Sequence, residues 1–446
     1  MSRDEPTQDV TVGLNGVAIA RRDGDAKRYR TYEIHQRRRV GESTGKLRPR
    51  ALIAREFLRD PYPTLTTLRE YYPCYLDWLG NAYWITRYDD VTSVFVDDAN
   101  FTSRSKRFFY GLDDIGRDLR GELAVARHHE RTFDAHAQHI AAELVTYFAP
   151  RGSADLATHF AARLPLELLA LEWGIEPADR GKFVERYWRM QRGVHGYAAV
   201  EQAGRAAFFE LIDFFRPLLD ARRACPGDDL VSVIAGLEPA GCPTTAEDLV
   251  ATLLEGDHET LHGALANLWF LLLTHPAQLE HVRTARAEAR LLKLAYLEAL
   301  RHCAPVLVAR RFARHEVERF GLLIPEGALV VCAAAAANRD PRVFANPDDF
   351  IVGRRDLTQR EPRGMYRADG LASGIAFGLG PPSIYPAVPE DRPRSRYAIT
   401  RDAALAASRV LIENLPDLAL APDAMAHLEC TAWGGMHTCR RLHVVF

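Results

Sequence analysis

No apolar run in this chain approaches the ~20 residues needed to cross a bilayer; the longest extends from Ala264 to Leu273. No membrane span is therefore expected. Met1 to Asp9 is polar and lacks the apolar core of a secretory leader, which points to the cytoplasm. The seven cysteines, at 74, 225, 242, 303, 332, 430 and 439, are odd in number, scattered and without a CxxC pair. That spacing supports neither a disulfide framework nor a zinc site, so they read as buried thiols. A net charge of −2 gives no general attraction to nucleic acid or to an anionic membrane, so partners must be argued from sites.

What is present is ordinary for a globular protein: 47% hydrophobic and 26% charged residues in a chain of 446. Length alone would allow about three average domains. The composition instead divides the chain into a basic extension over 1–50 and a single large domain over 51–446. The extension carries Arg21, Arg22, Lys27, Arg28, Arg30 and Arg37 to Arg39 with few apolar residues. Such a segment buries little surface and reads as a mobile, solvated arm or a docking strip.

Past Phe57 the pattern changes. Tyr83 to Thr86 has strand composition, and Asp89-Asp90 starts a helix. Leu123 to Phe148 has helical periodicity, with Arg127 and Arg131 one turn apart on one face. His128 and His129 are adjacent, point apart on a helix and have no carboxylate at a completing spacing, so no metal is expected there. Residues 155 to 240 form a series of amphipathic helices whose aromatic stripes are core.

Thr244 or Thr245, followed by Glu247 and Asp248, offers a helix start with a capping box, and no proline intervenes before Pro276. One helix over about 245–274 would be roughly 45 Å long. Its middle is polar where it should be apolar: Glu255, Asp257, His258, Glu259 and Thr260 surround Gly256, which is unfavourable in a helix interior. Those groups need water or hydrogen bonds, so a cavity against the helix is expected.

From these residues onward the chain resembles the cytochromes P-450. Glu259 and Thr260 are similar to the acid and alcohol of that family's oxygen-binding groove, Ala-Gly-x-Glu/Asp-Thr-Thr, with Leu261 at the second Thr and Gly256-Asp257 at Ala-Gly. Glu298 and Arg301 in YLEALR, followed by Pro305, Arg311, Asn338-Arg339-Asp340-Pro341 and Arg354, resemble the Glu-x-x-Arg motif and its downstream elements in order. The resemblance implies a buried Glu298/Arg301/Arg354 network with a structural role, costly to leave unpaired. It also implies that Arg127, Arg131 and Arg311 stand at haem-propionate positions. A solvated basic face is the alternative for the first two, and a surface strand residue for the third.

The segment GIAFGLGPPSIYP departs from the family. Phe377, Gly378 and Gly380 fit the haem-loop pattern, but Pro382 stands at the His, Ile384 at the iron-ligating Cys and Pro386 at the last Gly. An insertion of about ten residues follows, and counting back from Arg401 in the next helix places the ligand near Arg394, again not a Cys.

The resemblance therefore implies a mainly α fold with small β-sheets (α+β), the cytochrome P-450 fold, covering about 55–446. The missing thiolate leads to the expectation of no cofactor: a haem-free accessory protein of bacterial secondary metabolism, partnering a glycosyltransferase or another pathway enzyme. The alternative is an enzyme. It would be a monooxygenase with haem held by a substitute such as Tyr385, or a haem-free acid–base catalyst using Glu259, Asp257 or His258. A small-molecule cavity ligand is expected in either case.

Overall fold

The computed structural model of the chain describes residues 10–12, 18–20, 46–47, 50–77, 79–194, 198–256, 258–284, 289–358, 372, 374–375, 393–424, 427–430 and 435–446. In the N-terminal extension, Val10–Val12 and Ala18–Ala20 pair as antiparallel strands, so it is not an arm without structure throughout. After a short helix at Arg55–Arg59 the body continues with α1 (Tyr62–Tyr71), then the hairpin β1 (Cys74–Asp77) and β2 (Ala82–Ile85), α2 (Tyr88–Phe95) and β3 (Phe101–Thr102). Six helices follow before the centre of the molecule is complete: α3 (Leu123–Phe148), α4 (Arg163–Glu172), α5 (Arg180–Gly193), α6 (Ala198–Ala224), α7 (Leu230–Ala235) and α8 (Ala246–Leu254). Then come α9 (His258–Thr274), α10 (Arg290–His302), β4 (Ala309–Ala313), β5 (Leu329–Cys332), α11 (Arg396–Asn414) and the hairpin β6 (His427–Cys430) and β7 (His437–Arg441).

The largest sheet has the order β1-β2-β5-β4-β3, with β5 parallel to β2 and the remaining pairs antiparallel. It borders a helical core in which α9 is the central element. Leu261, Gly263 to Trp269 and Leu271 to Leu273 are all buried, as expected for a helix apolar on every side. A second core joins α5, α6 and α8 through Phe183, Tyr187, Phe208, Phe215 and Leu249. Here α5 and α6 cross at glycines: a Cβ on Gly193 or Gly204 would meet the other glycine's Cα at 2.8 Å, so only glycine permits this approach.

The long helix expected over 245–274 is two helices. Its start is capped by Thr245, whose side chain accepts from the Asp248 N–H while Asp248 accepts from the Thr245 N–H, but α8 stops at Leu254 and α9 begins at His258. The thiols also divide: Cys303, Cys332 and Cys439 are buried, Cys74 is half-buried, and Cys225 and Cys242 are exposed because they lie in the loops after α6 and before α8.

Candidate active site

Breaking a helix frees backbone carbonyls that must find other donors. Gln191 of α5 donates to the Leu254 carbonyl at 2.9 Å, Arg120 to that of Glu255, and the Lys106 ammonium to that of Gly256 at 2.7 Å. Two of the three donors come from the segment between β3 and α3. This segment is pinned across the break: Arg117 bonds Asp248 of α8 at 2.7 Å, and Tyr110 donates to the Met190 carbonyl of α5. A glycine at 256 combined with inserted side chains is a sufficient physical cause for the break.

Beyond the break, the polar run stays partly accessible. His258, Glu259 and Thr260 are half-buried in a helix whose next residues are buried, and the Tyr187 hydroxyl lies 3.1 Å from His258 Nδ1. Lys106 Nζ is 3.8 Å from Glu259 Oε2. Asp257 lies outside the described residues. One turn before Glu259, Glu255 is almost wholly buried; its Oε1 accepts from the Arg107 N–H at 3.3 Å, and Arg107 and Arg120 lie 3.9 and 3.8 Å away through their side chains. Burial pushes the Glu255 carboxyl up against the pull of Arg120 and Lys106. Glu255, Lys106, Arg107 and Arg120 were not among the expected site residues, and apart from Glu255 they carry no local signal, since contacts across more than 100 positions bring them there.

Of the three arginines expected at propionate positions, Arg127 and Arg131 are exposed on α3, whereas Arg311 is half-buried on β4, its guanidinium 4.8 Å over the Phe95 ring. Its neighbour Arg310 lies deep in the protein yet keeps accessible surface, and burial pulls it down to about 10. His262, one turn beyond His258, is likewise deep but not sealed, and burial pulls its imidazole down to about 4. Of the three arginines, half-buried Arg311 is the one placed to offer charge to a carboxylate of a buried anionic cofactor.

Glu298 and Arg301 of α10 make a two-point pair at 2.7 and 2.8 Å with no exposed surface. Arg354 Nη1 is 3.7 Å from Glu298 and its Nε is 2.9 Å from Asp356. Arg301 also donates to the carbonyls of Asn338, Pro347 and Asp349, and Glu298 accepts from the Ile351 N–H at 3.0 Å. The Asn338 amide holds Ile375 by two bonds of 2.6 Å, fixing the chain at the entry to the loop that contains Ile384 and Tyr385. Those two residues lie outside the described ones. At the loop's far end Arg394 is clamped by Asp134 at 2.9 Å, Asp402 at 2.6 Å and Glu130 at 3.5 Å. A guanidinium so engaged is no iron ligand.

His128 and His129 do not point to unrelated surroundings. His128 Nε2, His129 Nδ1 and His136 Nδ1 lie 3.4, 3.6 and 2.5 Å from the carboxylate of Glu172 on α4, which is 1% exposed. Neighbours on a helix are 100° apart, and a third element between them can receive both. Among the described residues no group of ligating side chains forms a metal site.

This arrangement of a broken central helix, a Glu/Arg/Arg network and a five-stranded sheet beside a helical core is the cytochrome P-450 fold. A ligand-free structure of cytochrome P-450 TbtJ1 superposes with a TM-score of 0.69 at 25% identity, covering 87% of this chain and 98% of that one. In fold and along most of its sequence the chain is similar to bacterial cytochromes P-450. It is 33% identical over 249 residues to 6-deoxyerythronolide B hydroxylase of Saccharopolyspora erythraea, a match covering 55% of this chain and 58% of the hydroxylase. A Xylella fastidiosa protein carrying the name cytochrome P-450 133B2 is 26% identical over 406 residues, 84% of this chain and 93% of its own. No protein-family model matches the chain. Among the described residues, no helix is long and apolar enough to cross a membrane. These relatives are cytochromes, haem proteins by name, and they overturn the expectation that no cofactor is bound. That expectation rested on the loop's missing Cys alone, whereas the likeness extends over most of the chain.

Proposed function

We propose that the chain is a haem-dependent oxidoreductase of the cytochrome P-450 type, a monooxygenase acting on a small molecule of bacterial secondary metabolism. The observation that carries this reading is the half-buried Glu259-Thr260 pair at a break in an otherwise buried central helix. Haem, when bound, supplies an iron centre that activates dioxygen. The chain's own groups do the rest. Arg311 binds a carboxylate of the cofactor. Glu259 and Thr260 hold and pass protons at carboxylate and hydroxyl oxygens, and Glu259 is replenished from the polar side of the break. The buried walls of α9 exclude bulk water. With Ile384 unable to ligate, Tyr385 is the substitute we assign to the iron, since tyrosine is an established haem ligand.

Full-length protein expressed with ample haem should show a Soret band at one haem per chain, and Tyr385→Phe should abolish or shift it. Absence of a Soret band at any haem ratio overturns the proposal. A band unaffected by Tyr385→Phe overturns the ligand assignment alone.

A further inference from the structure

The break between α8 and α9 is held open by side chains from outside the helix. Gln191, Arg120 and Lys106 each take one of the carbonyls it frees. Lys106 differs from the other two in what else it touches. Its ammonium donates to the Gly256 carbonyl at 2.7 Å and to Gln191 Oε1 at 3.0 Å, and it stands 3.8 Å from the Glu259 carboxylate. One charge therefore joins three elements: the segment before α3, helix α5 and the start of α9.

We infer that Lys106 is a positioning residue for Glu259, holding the Gly256 carbonyl and the Glu259 carboxylate on one ammonium so that the break and its acid keep a single arrangement. The inference rests on the reading of Glu259 as the pocket's acid. Arg107 and Arg120 stand 3.9 and 3.8 Å from Glu255, the carboxylate on the other side of the break. The segment does not depend on Lys106 for its docking. Arg117 on Asp248 and Tyr110 on the Met190 carbonyl fasten it independently. Lys106→Met thus removes the ammonium and keeps most of the stem's packing without releasing the segment. An ammonium on a carbonyl is a charge-assisted bond in a half-buried place, where its loss is felt more than at the surface.

The first test is amide hydrogen exchange in the full-length protein. In Lys106→Met, exchange over 255–261 should be about tenfold faster than in wild type, with α3 unchanged. Lys106→Arg should recover part of the protection. The second test is kinetic, in haem-loaded protein. Lys106→Met and Glu259→Gln should each lower kcat with little change in KM, and the double variant should be no slower than Glu259→Gln, because Lys106 acts through Glu259. Unchanged exchange in Lys106→Met overturns the inference, as do rate losses that multiply in the double variant. If haem does not load, the function proposed above falls, and the exchange result alone decides on Lys106.

Discussion

Two groups of carboxylates on the central helices stand in opposite surroundings. Glu298 is sealed from solvent, matched by Arg301 at two points and by Arg354 at a third, with backbone groups filling the remaining valences. Glu255 accepts one backbone N–H and has Arg107 and Arg120 at 3.9 and 3.8 Å, while Glu259 has Lys106 at 3.8 Å and keeps about a fifth of its surface. A closed network of the first kind specifies one arrangement and leaves no capacity for a ligand. The second kind is held by longer ion pairs at a break in the helix, where a reaction finds charge within reach.

Removing one partner from each group should separate them. Glu298→Ala leaves the buried Arg301 guanidinium without its countercharge and should cost about 3–5 kcal/mol, read from denaturant unfolding. Glu259→Ala should cost far less, and equal losses would erase the distinction. Arg394→Ala is expected between these, at about 1–2 kcal/mol, because it leaves Glu130, Asp134 and Asp402 facing one another across α3 and α11 while solvent screens part of the repulsion.

A third carboxylate, Glu172, sharpens the comparison through pH. Burial works to raise its carboxyl, but the bonds from His128, His129 and His136 outweigh burial and hold it well below the usual range. His136 is raised above its ordinary 6.5 by its bond to Glu172. The Glu172 contribution is present above the ordinary carboxylate value and lost as pH falls through the depressed one. The His136 contribution is present below 6.5 and lost as pH rises through the raised value. Both hold at about pH 5–6.5. The melting temperature should therefore fall from pH 6 to pH 8, and Glu172→Gln should flatten that fall.

The smallest effect is expected at Glu255. Its carboxyl is raised by burial, so its contribution is present at low pH and lost as pH rises through the folded value. Glu255→Gln should lie within about 1 kcal/mol of wild type at neutral pH and compare better with it at pH 8 than at pH 5. A loss at pH 8 as large as that of Glu298→Ala would mean that the break is as closed as the Glu298 network.

Much of the fold was legible because it is local. Helix α3 begins and ends where its periodicity does, at Leu123 and Phe148, and the Thr245–Asp248 box caps α8. The Glu298–Arg301 pair is three residues apart on one helix and could be read as a unit. The helix break was signalled by Gly256 and its polar neighbours, but whether a helix bends or parts there depends on what receives its carbonyls. Lys106, Arg120 and Gln191 lie 63 to 150 residues away from the carbonyls they hold. The pairing of His128 and His129 with Glu172 was hidden for the same reason, since the shared acceptor is on another helix. The missing Cys misled in the other direction: one local absence was weighed above a likeness distributed along the chain.

The two clamps at Asn338 and Arg394 fix where the haem-loop segment leaves the helical core and where it rejoins it. Closing a longer loop between fixed ends costs little more than closing a shorter one, only about 0.6 kcal/mol for each doubling of length. A longer stretch between these two clamps therefore costs the remainder of the protein little stability. The clamps turn the segment into a replaceable part: its chemistry can drift without the fold drifting with it.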